Sequence, residues 1–141
     1  MDIASQISKH TLFASFSPRK IQKITNLAIS RRYLKGAFVI HEGDIWPYLL
    51  YVYQGQFQAL KESAGRTFVI EDFEPGDFFW GLALFEDGEP NPAAIKAAQN
   101  GELLLWHKTQ VEAMISDNPQ IAWGLFNLMA IRNKLIKIHI G

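Results

Sequence analysis

Between Arg31 and Lys108 the chain breaks into short apolar runs, each closed by a turn signal, and this spacing limits the fold more than any other feature. Phe38-Val39-Ile40 leads into Glu42-Gly43-Asp44, and Tyr48 to Tyr53 into Gln54-Gly55. Phe57 to Leu60 leads into Ser63-Ala64-Gly65, and Thr67 to Ile70 into Glu74-Pro75-Gly76-Asp77; Glu102 to Trp106 closes the series. Runs this short, rich in β-branched and aromatic residues, predict antiparallel strands of a sandwich or barrel. Gly36, Gly43, Gly55 and Gly76 fall where the runs stop, as turn residues do, and Gly43 and Gly76 are expected at positive φ. The interval Leu82 to Ala98 departs from the pattern. Leu82-Ala83-Leu84-Phe85 before Asp87-Gly88 reads as one helical turn rather than another strand.

The flanks read as helix. Asp2 is placed to cap a short helix through Lys9, and Ser17-Pro18 is a cap followed by proline at the first helical position. Ile21, Ile24, Leu27 and Ala28 then recur at helical spacing and are expected to face a core. After the strands, Thr109 is expected to cap Gln110 to Ile115. Asp117-Asn118-Pro119 breaks that helix and starts another. The expected organisation is one domain over residues 1–141, with a helical lead-in (1–30), a β-roll (31–108) and C-terminal helices (109–141).

A chain of 141 residues buries roughly 70% of its unfolded surface as a single domain, so no staples are required. Cysteine is absent, which removes disulfides, thiolate metal sites and thiol nucleophiles together. Lys plus Arg and Asp plus Glu are both 14, so this segment has no general pull toward nucleic acid. No apolar stretch approaches the ~20 residues of a membrane span, and the N-terminus lacks the basic head and apolar block of a signal peptide. A cytoplasmic domain without membrane partners is expected.

Catalytic chemistry finds no candidate. His10, His41, His107 and His139 are scattered, and none forms a His-x-His pair on a strand, so no metal site is expected. No serine sits in a Gly-x-Ser-x-Gly elbow, and Glu71-Asp72 and Glu86-Asp87 read as surface and turn pairs. The chain is not expected to be an enzyme or to carry a cofactor; a metal-dependent cupin is the remote alternative.

Lys35-Gly36, Val39-Ile40-His41-Glu42-Gly43-Asp44, Leu50-Tyr51-Val52-Tyr53-Gln54-Gly55, Pro75-Gly76-Asp77-Phe78-Phe79 and Leu82-Ala83-Leu84, in that order, resemble the cyclic-nucleotide-binding domain. The style is that of the sensor half of catabolite-activator (CRP/FNR) class bacterial transcription regulators. The resemblance runs from about Ser8 to Ile138. It implies a mainly β fold with flanking helices: an antiparallel double-stranded β-helix (jelly roll) with N-terminal helices and a long C-terminal dimerisation helix.

The same resemblance implies a phosphate-binding cassette, and there the chain departs from the family. A Gly-Glu-Leu-Ala-Leu turn gives amides to the phosphate and a glutamate to the ribose, and an Arg-Ser/Thr pair holds the phosphate. Here Trp80 stands at the glycine, Gly81 at the glutamate, Asn91 at the arginine and Pro92 at the Ser/Thr. Tight binding of cyclic AMP or cyclic GMP is therefore not expected, although the amides of Leu82 and Ala83 remain able to attract a weaker anion. Candidate ligand-binding residues are Phe79, Trp80, Gly81, Leu82, Ala83, Asn91, Pro92, Ala93 and Arg132. They describe either a sensor retuned to a neutral or aromatic effector of unknown identity or a filled scaffold. Arg132 either reaches the pocket from the long helix or is a solvent or interface charge. A homodimer is expected through Leu125, Leu128, Met129, Leu135 and Ile136, the alternative being a helix folded back on the roll. The functional expectation is an effector-sensing and dimerisation domain that meets DNA only through a further C-terminal domain. The alternative is a free-standing domain acting as a protein-interaction adaptor.

Overall fold

The computed structural model describes residues 2–128; Met129, Arg132, Leu135 and Ile136 lie outside them. The described residues form two compact units, residues 28–108 and the two flanks 2–27 and 109–128 together.

Eight antiparallel strands make up the first unit: β1 (Ile29–Tyr33), β2 (Phe38–Ile40), β3 (Tyr48–Gln54), β4 (Phe57–Ser63), β5 (Arg66–Phe73), β6 (Phe78–Trp80), β7 (Ala94–Ala97) and β8 (Gly101–His107). They pair as two four-stranded sheets, β1-β8-β3-β6 and β2-β7-β4-β5. Every sheet therefore joins strands distant in sequence, as a jelly roll requires. Leu50, Val52, Leu103 and Leu105 from the first sheet and Phe57, Ala59, Ile95 and Ala97 from the second form one buried cluster. The opposite face of the first sheet is also buried, with Leu49, Tyr51, Leu104 and Trp106 at 1% exposure or less. That explains why β3 and β8 read as continuous apolar runs instead of alternating ones.

Three strands fall outside the expected series. β1 begins at Ile29, inside the stretch expected to be helical, and its Ile-Ser-Arg-Arg-Tyr sequence is mostly exposed because β1 is an edge pairing only with β8. β6 and β7 are too short to show a period, and both are specified by partners far away: β6 by β3, β7 by β2 and β4. The segment Leu82–Leu84 between them is one 3-10 turn, as the sequence predicts.

Two of the roll's turns share one design. In His41-Glu42-Gly43-Asp44, Asp44 N donates to His41 O (3.1 Å), and in Glu74-Pro75-Gly76-Asp77, Asp77 N donates to Glu74 O (3.0 Å). The glycines take φ of +91° and +99°, as the third position of a type II turn demands. In each, the aspartate closes the loop by accepting the first residue's amide: His41 N to Asp44 Oδ2 (3.1 Å) and Glu74 N to Asp77 Oδ2 (2.8 Å).

In the second unit, α1 (Ile3–Ser8) is capped by Asp2, whose Oδ1 accepts Ser5 N at 2.7 Å. α2 (Pro18–Leu27) follows the Ser17 cap and buries Ile21 and Ile24. Leu27, expected in that stripe, is 46% exposed. At ~100° per residue it sits about 120° away from Ile21 around the helix. α3 (Lys108–Asp117) starts one residue before the expected cap Thr109, because Lys108 N finds the Pro47 carbonyl at 2.9 Å. A further helix, α4, occupies described residues 120–128 after the Asn118-Pro119 break. No helix among the described residues is long and apolar enough to cross a membrane.

Candidate ligand site

The first sheet delivers one half of the site. β6 pairs with β3 through Trp80–Leu49, Phe79–Leu50 and Phe78–Tyr51. Phe79 points inward and stacks on Phe73, with centroids 4.3 Å apart. Trp80 is half-buried and meets the Phe85 ring edge-on. The chain then passes buried Gly81 and closes the 3-10 turn, with Leu84 N on Gly81 O at 3.2 Å. Ala83 and Leu84 are buried, whereas Leu82 is 44% exposed.

The other half returns across the first of the two glycine turns. Pro90 forms an isolated bridge with Ile45. Asn91 then exchanges main-chain bonds with the turn: its amide donates to Asp44 O (2.7 Å), and Gly43 N donates to its carbonyl (2.8 Å). Asn91 is thereby held at 6% exposure, and its side-chain Nδ2 donates to Ala93 O at 3.1 Å. Pro92 is exposed and Ala93 half-buried.

Gly81 and Asn91 meet. A Cβ on Gly81 would lie 2.2 Å from Asn91 Oδ1 and 2.9 Å from the Trp46 carbonyl, distances that no methyl group tolerates. Glycine is required here for space, at an ordinary φ, and the asparagine side chain occupies the room that a longer residue at 81 would need. Of the candidate ligand residues, Gly81 and Asn91 are thus in direct contact. Arg132 lies outside the described residues.

Two contributors have no signal in the sequence reading. Trp46 borders Gly81 through its carbonyl, while its ring packs on the roll's core and tilts against Tyr48 at 4.9 Å. Lys61 brings a cation: its Nζ pairs with Glu42 and donates to the Pro92 carbonyl at 2.8 Å. That positive charge is already matched by a carboxylate. Each is brought in from a distant strand or loop, and a lone Trp or Lys carries no spacing to reveal it.

The proposed dimer residues divide. Leu125 is 1% exposed, as is Ile121, so both belong to the chain's own packing. Leu128 is half-buried. Among the described residues of α4, Trp123 (70%) and Phe126 (55%) are exposed large apolar side chains, an edge-on pair with centroids 6.3 Å apart.

Comparison with known proteins agrees with this fold. The chain is 27% identical over 111 residues to the cAMP-activated global transcriptional regulator CRP of Salmonella typhimurium, covering 78% of this chain and 53% of that one. It is 27% identical over 124 residues to the cyclic AMP receptor protein of Thermus thermophilus, covering 86% and 56%. The chain spans about half the length of these curated relatives. Among solved structures, the Thermus thermophilus catabolite activator protein superposes with a TM-score of 0.80 at 23% identity, over 92% of this chain and 61% of that one. The sensor domain of the Pseudomonas aeruginosa transcriptional regulator DNR superposes with a TM-score of 0.78 at 20% identity, over 91% and 86%. Residues 30–118, the roll and α3, match the family described as cyclic nucleotide-binding domain, and the chain belongs to that family.

Proposed function

We propose that the chain is the effector-sensing and dimerising domain of a CRP-class transcription regulator whose tight effector is neither cyclic AMP nor cyclic GMP. The observation that carries this reading is the Asn91 side chain, buried and packed against Gly81 where the family's cassette places an arginine and a glutamate. A phosphate deprived of its guanidinium partner loses about 3–5 kcal/mol, and a missing ribose hydrogen bond adds about 1–3 kcal/mol. At ~1.4 kcal/mol per tenfold, these losses amount to several decades of affinity. Lys61 does not make good the deficit, because Glu42 already pairs with it.

A thermal-shift series tests the reading, since a ligand selective for the native state raises its melting temperature. Micromolar cyclic AMP and cyclic GMP should leave the protein's Tm unmoved. A variant carrying Gly81→Glu, Asn91→Arg and Pro92→Ser together should gain Tm with nucleotide. A rise for the unmodified protein contradicts the reading.

For dimerisation, the support is the exposed Trp123–Phe126 pair on α4, which a symmetric partner helix would cover. The unmodified protein is expected to sediment as a dimer, and Trp123→Glu with Phe126→Glu as a monomer. A concentration-independent monomer of the unmodified protein contradicts it. Contact with DNA is assigned to a segment outside this chain.

A further inference from the structure

The outer face of the second sheet carries a cavity that owes nothing to the cassette. Phe57 and Ala59 of β4 are buried in the roll's core, so the alternate residues Gln58 and Leu60 lie on the opposite face. The register shift at Ala59/Leu60 places its extra residue, Ile70, on β5, and β4 keeps its alternation through Glu62. Register sets Ala94 of β7 beside Leu60, Thr67 of β5 beside Glu62, and Phe38 of β2 beside Lys96 of β7. These side chains, joined by His41 and Glu42, line an open cavity of about 410 Å³. One end is aromatic and cationic: Phe38, 44% exposed, stacks on His41 with centroids 4.7 Å apart, and Lys96 Nζ lies 5.5 Å from the centre of the Phe38 ring. Half-buried Leu60 and Ala94 follow along the sheet. The far end is acidic. Glu42 is matched by Lys61, but among the described residues no ion pair or hydrogen bond engages the Glu62 carboxylate.

We propose that this cavity binds a small arylalkylamine, its ring resting on Leu60 and Ala94 and its ammonium paired with Glu62. Charge sets the orientation, because Lys96 repels an ammonium from the Phe38 end while Glu62 attracts it. Outward positions on one strand repeat every roughly 7 Å, so the step from Leu60 to Glu62 is one that the extended chain of phenylpropylamine spans. The exposed ring of Phe38 supplies an aromatic wall for the ligand's own ring. A carboxylate in place of the amine meets Glu62 with like charge, and an alcohol forgoes the ion pair. The cavity has the size of small-molecule sites. It uses none of Gly81, Asn91 or Pro92, so it goes beyond the sensor reading and stands whether or not a nucleotide binds.

Phenylpropylamine, phenylpropanol and phenylpropionate are the probes, which differ only in the group offered to Glu62, followed by ¹H–¹³C methyl spectra of the whole chain. The Leu60 methyl signals are identified by their disappearance in Leu60→Met. The amine should shift them saturably with a Kd of roughly a millimolar, the alcohol should bind about fivefold more weakly, and the propionate more weakly still. Glu62→Gln should bring the amine down to the level of the alcohol and leave the alcohol unchanged. The probe series on the unmodified protein decides the matter if Glu62→Gln does not fold. The inference is overturned if the amine leaves the Leu60 methyls unmoved, if alcohol or propionate binds as well as the amine, or if Glu62→Gln binds the amine as the unmodified protein does. A parallel titration with cyclic AMP keeps the failures apart: tight nucleotide binding defeats the sensor reading, whereas an inert amine defeats only this one.

Discussion

The turn at residues 41–44 and the segment from Gly81 to Ala93 touch, yet they use glycine for opposite reasons. Gly43, like Gly76 in the matching turn at 74–77, has open space around the position of a Cβ but a backbone that L side chains rarely adopt. Gly81 has an unremarkable backbone and no space at all. The turns are built locally, each closed by an aspartate three residues after the amide it accepts. The Gly81 site is built at long range, by Asn91 and Trp46 arriving from other parts of the roll. The difference teaches that the roll's frame is encoded in short motifs, whereas the packing at Gly81 depends on which side chains those motifs bring together.

The largest effect that can break this comparison is expected at Gly81. Gly81→Ala should destabilise by about 1–3 kcal/mol in urea unfolding, the range for overpacking, and should lose less in an Asn91→Gly background because the sites share a contact. Equal losses in both backgrounds would place the strain elsewhere. Next come Gly43→Ala and Gly76→Ala, each expected to cost about 1–2 kcal/mol for a Cβ at positive φ. Asparagine at Gly76, more tolerant of positive φ than alanine, should be milder. Unchanged melting temperatures for both alanine variants would contradict the turn assignment.

Smaller still is Lys61→Met. The pair with Glu42 leaves side-chain exposures of 42% and 37%, so its removal should cost less than ~1 kcal/mol. A large loss would show that this cation holds the segment at Pro92 in place. The smallest effect lies away from the roll, at Asp2. Accepting the Ser5 backbone amide, and then the Ser5 side chain, holds its carboxyl below the usual value. That contribution to stability is present above the unfolded-state pKa and fades as the pH falls through the folded one. Asp2→Asn keeps a capping side chain but should flatten this acid limb of stability against pH; an unchanged limb contradicts the assignment.

Much of the frame was legible because its signals are local. Glu42-Gly43-Asp44 and Pro75-Gly76-Asp77 announce turns through residues whose backbone preferences are intrinsic, and β3 and β8 announce themselves by apolar content. β1 was not legible, because an exposed edge strand needs no apolar alternation, and Ser30-Arg31-Arg32 offers none. β7 was hidden by its brevity. At the site, Gly81, Asn91 and Pro92 stand out as departures from the cassette that the resemblance implies, but the reason for Gly81 does not. It depends on a contact with a residue ten positions later, and no local pattern encodes that. Leucine on α4 shows the same limit: Leu125 carries an apolar stripe whether it faces the chain's own core or a partner, and only the fold reveals that it is buried while Trp123 and Phe126 are exposed.

The central claim is that this roll keeps the family's frame while Asn91 and Gly81 replace the groups that hold a cyclic nucleotide. Isothermal titration calorimetry of cyclic AMP into the unmodified protein tests it most directly. The account predicts no saturable heat at micromolar nucleotide, and a low-micromolar Kd with one molecule bound per chain would contradict it.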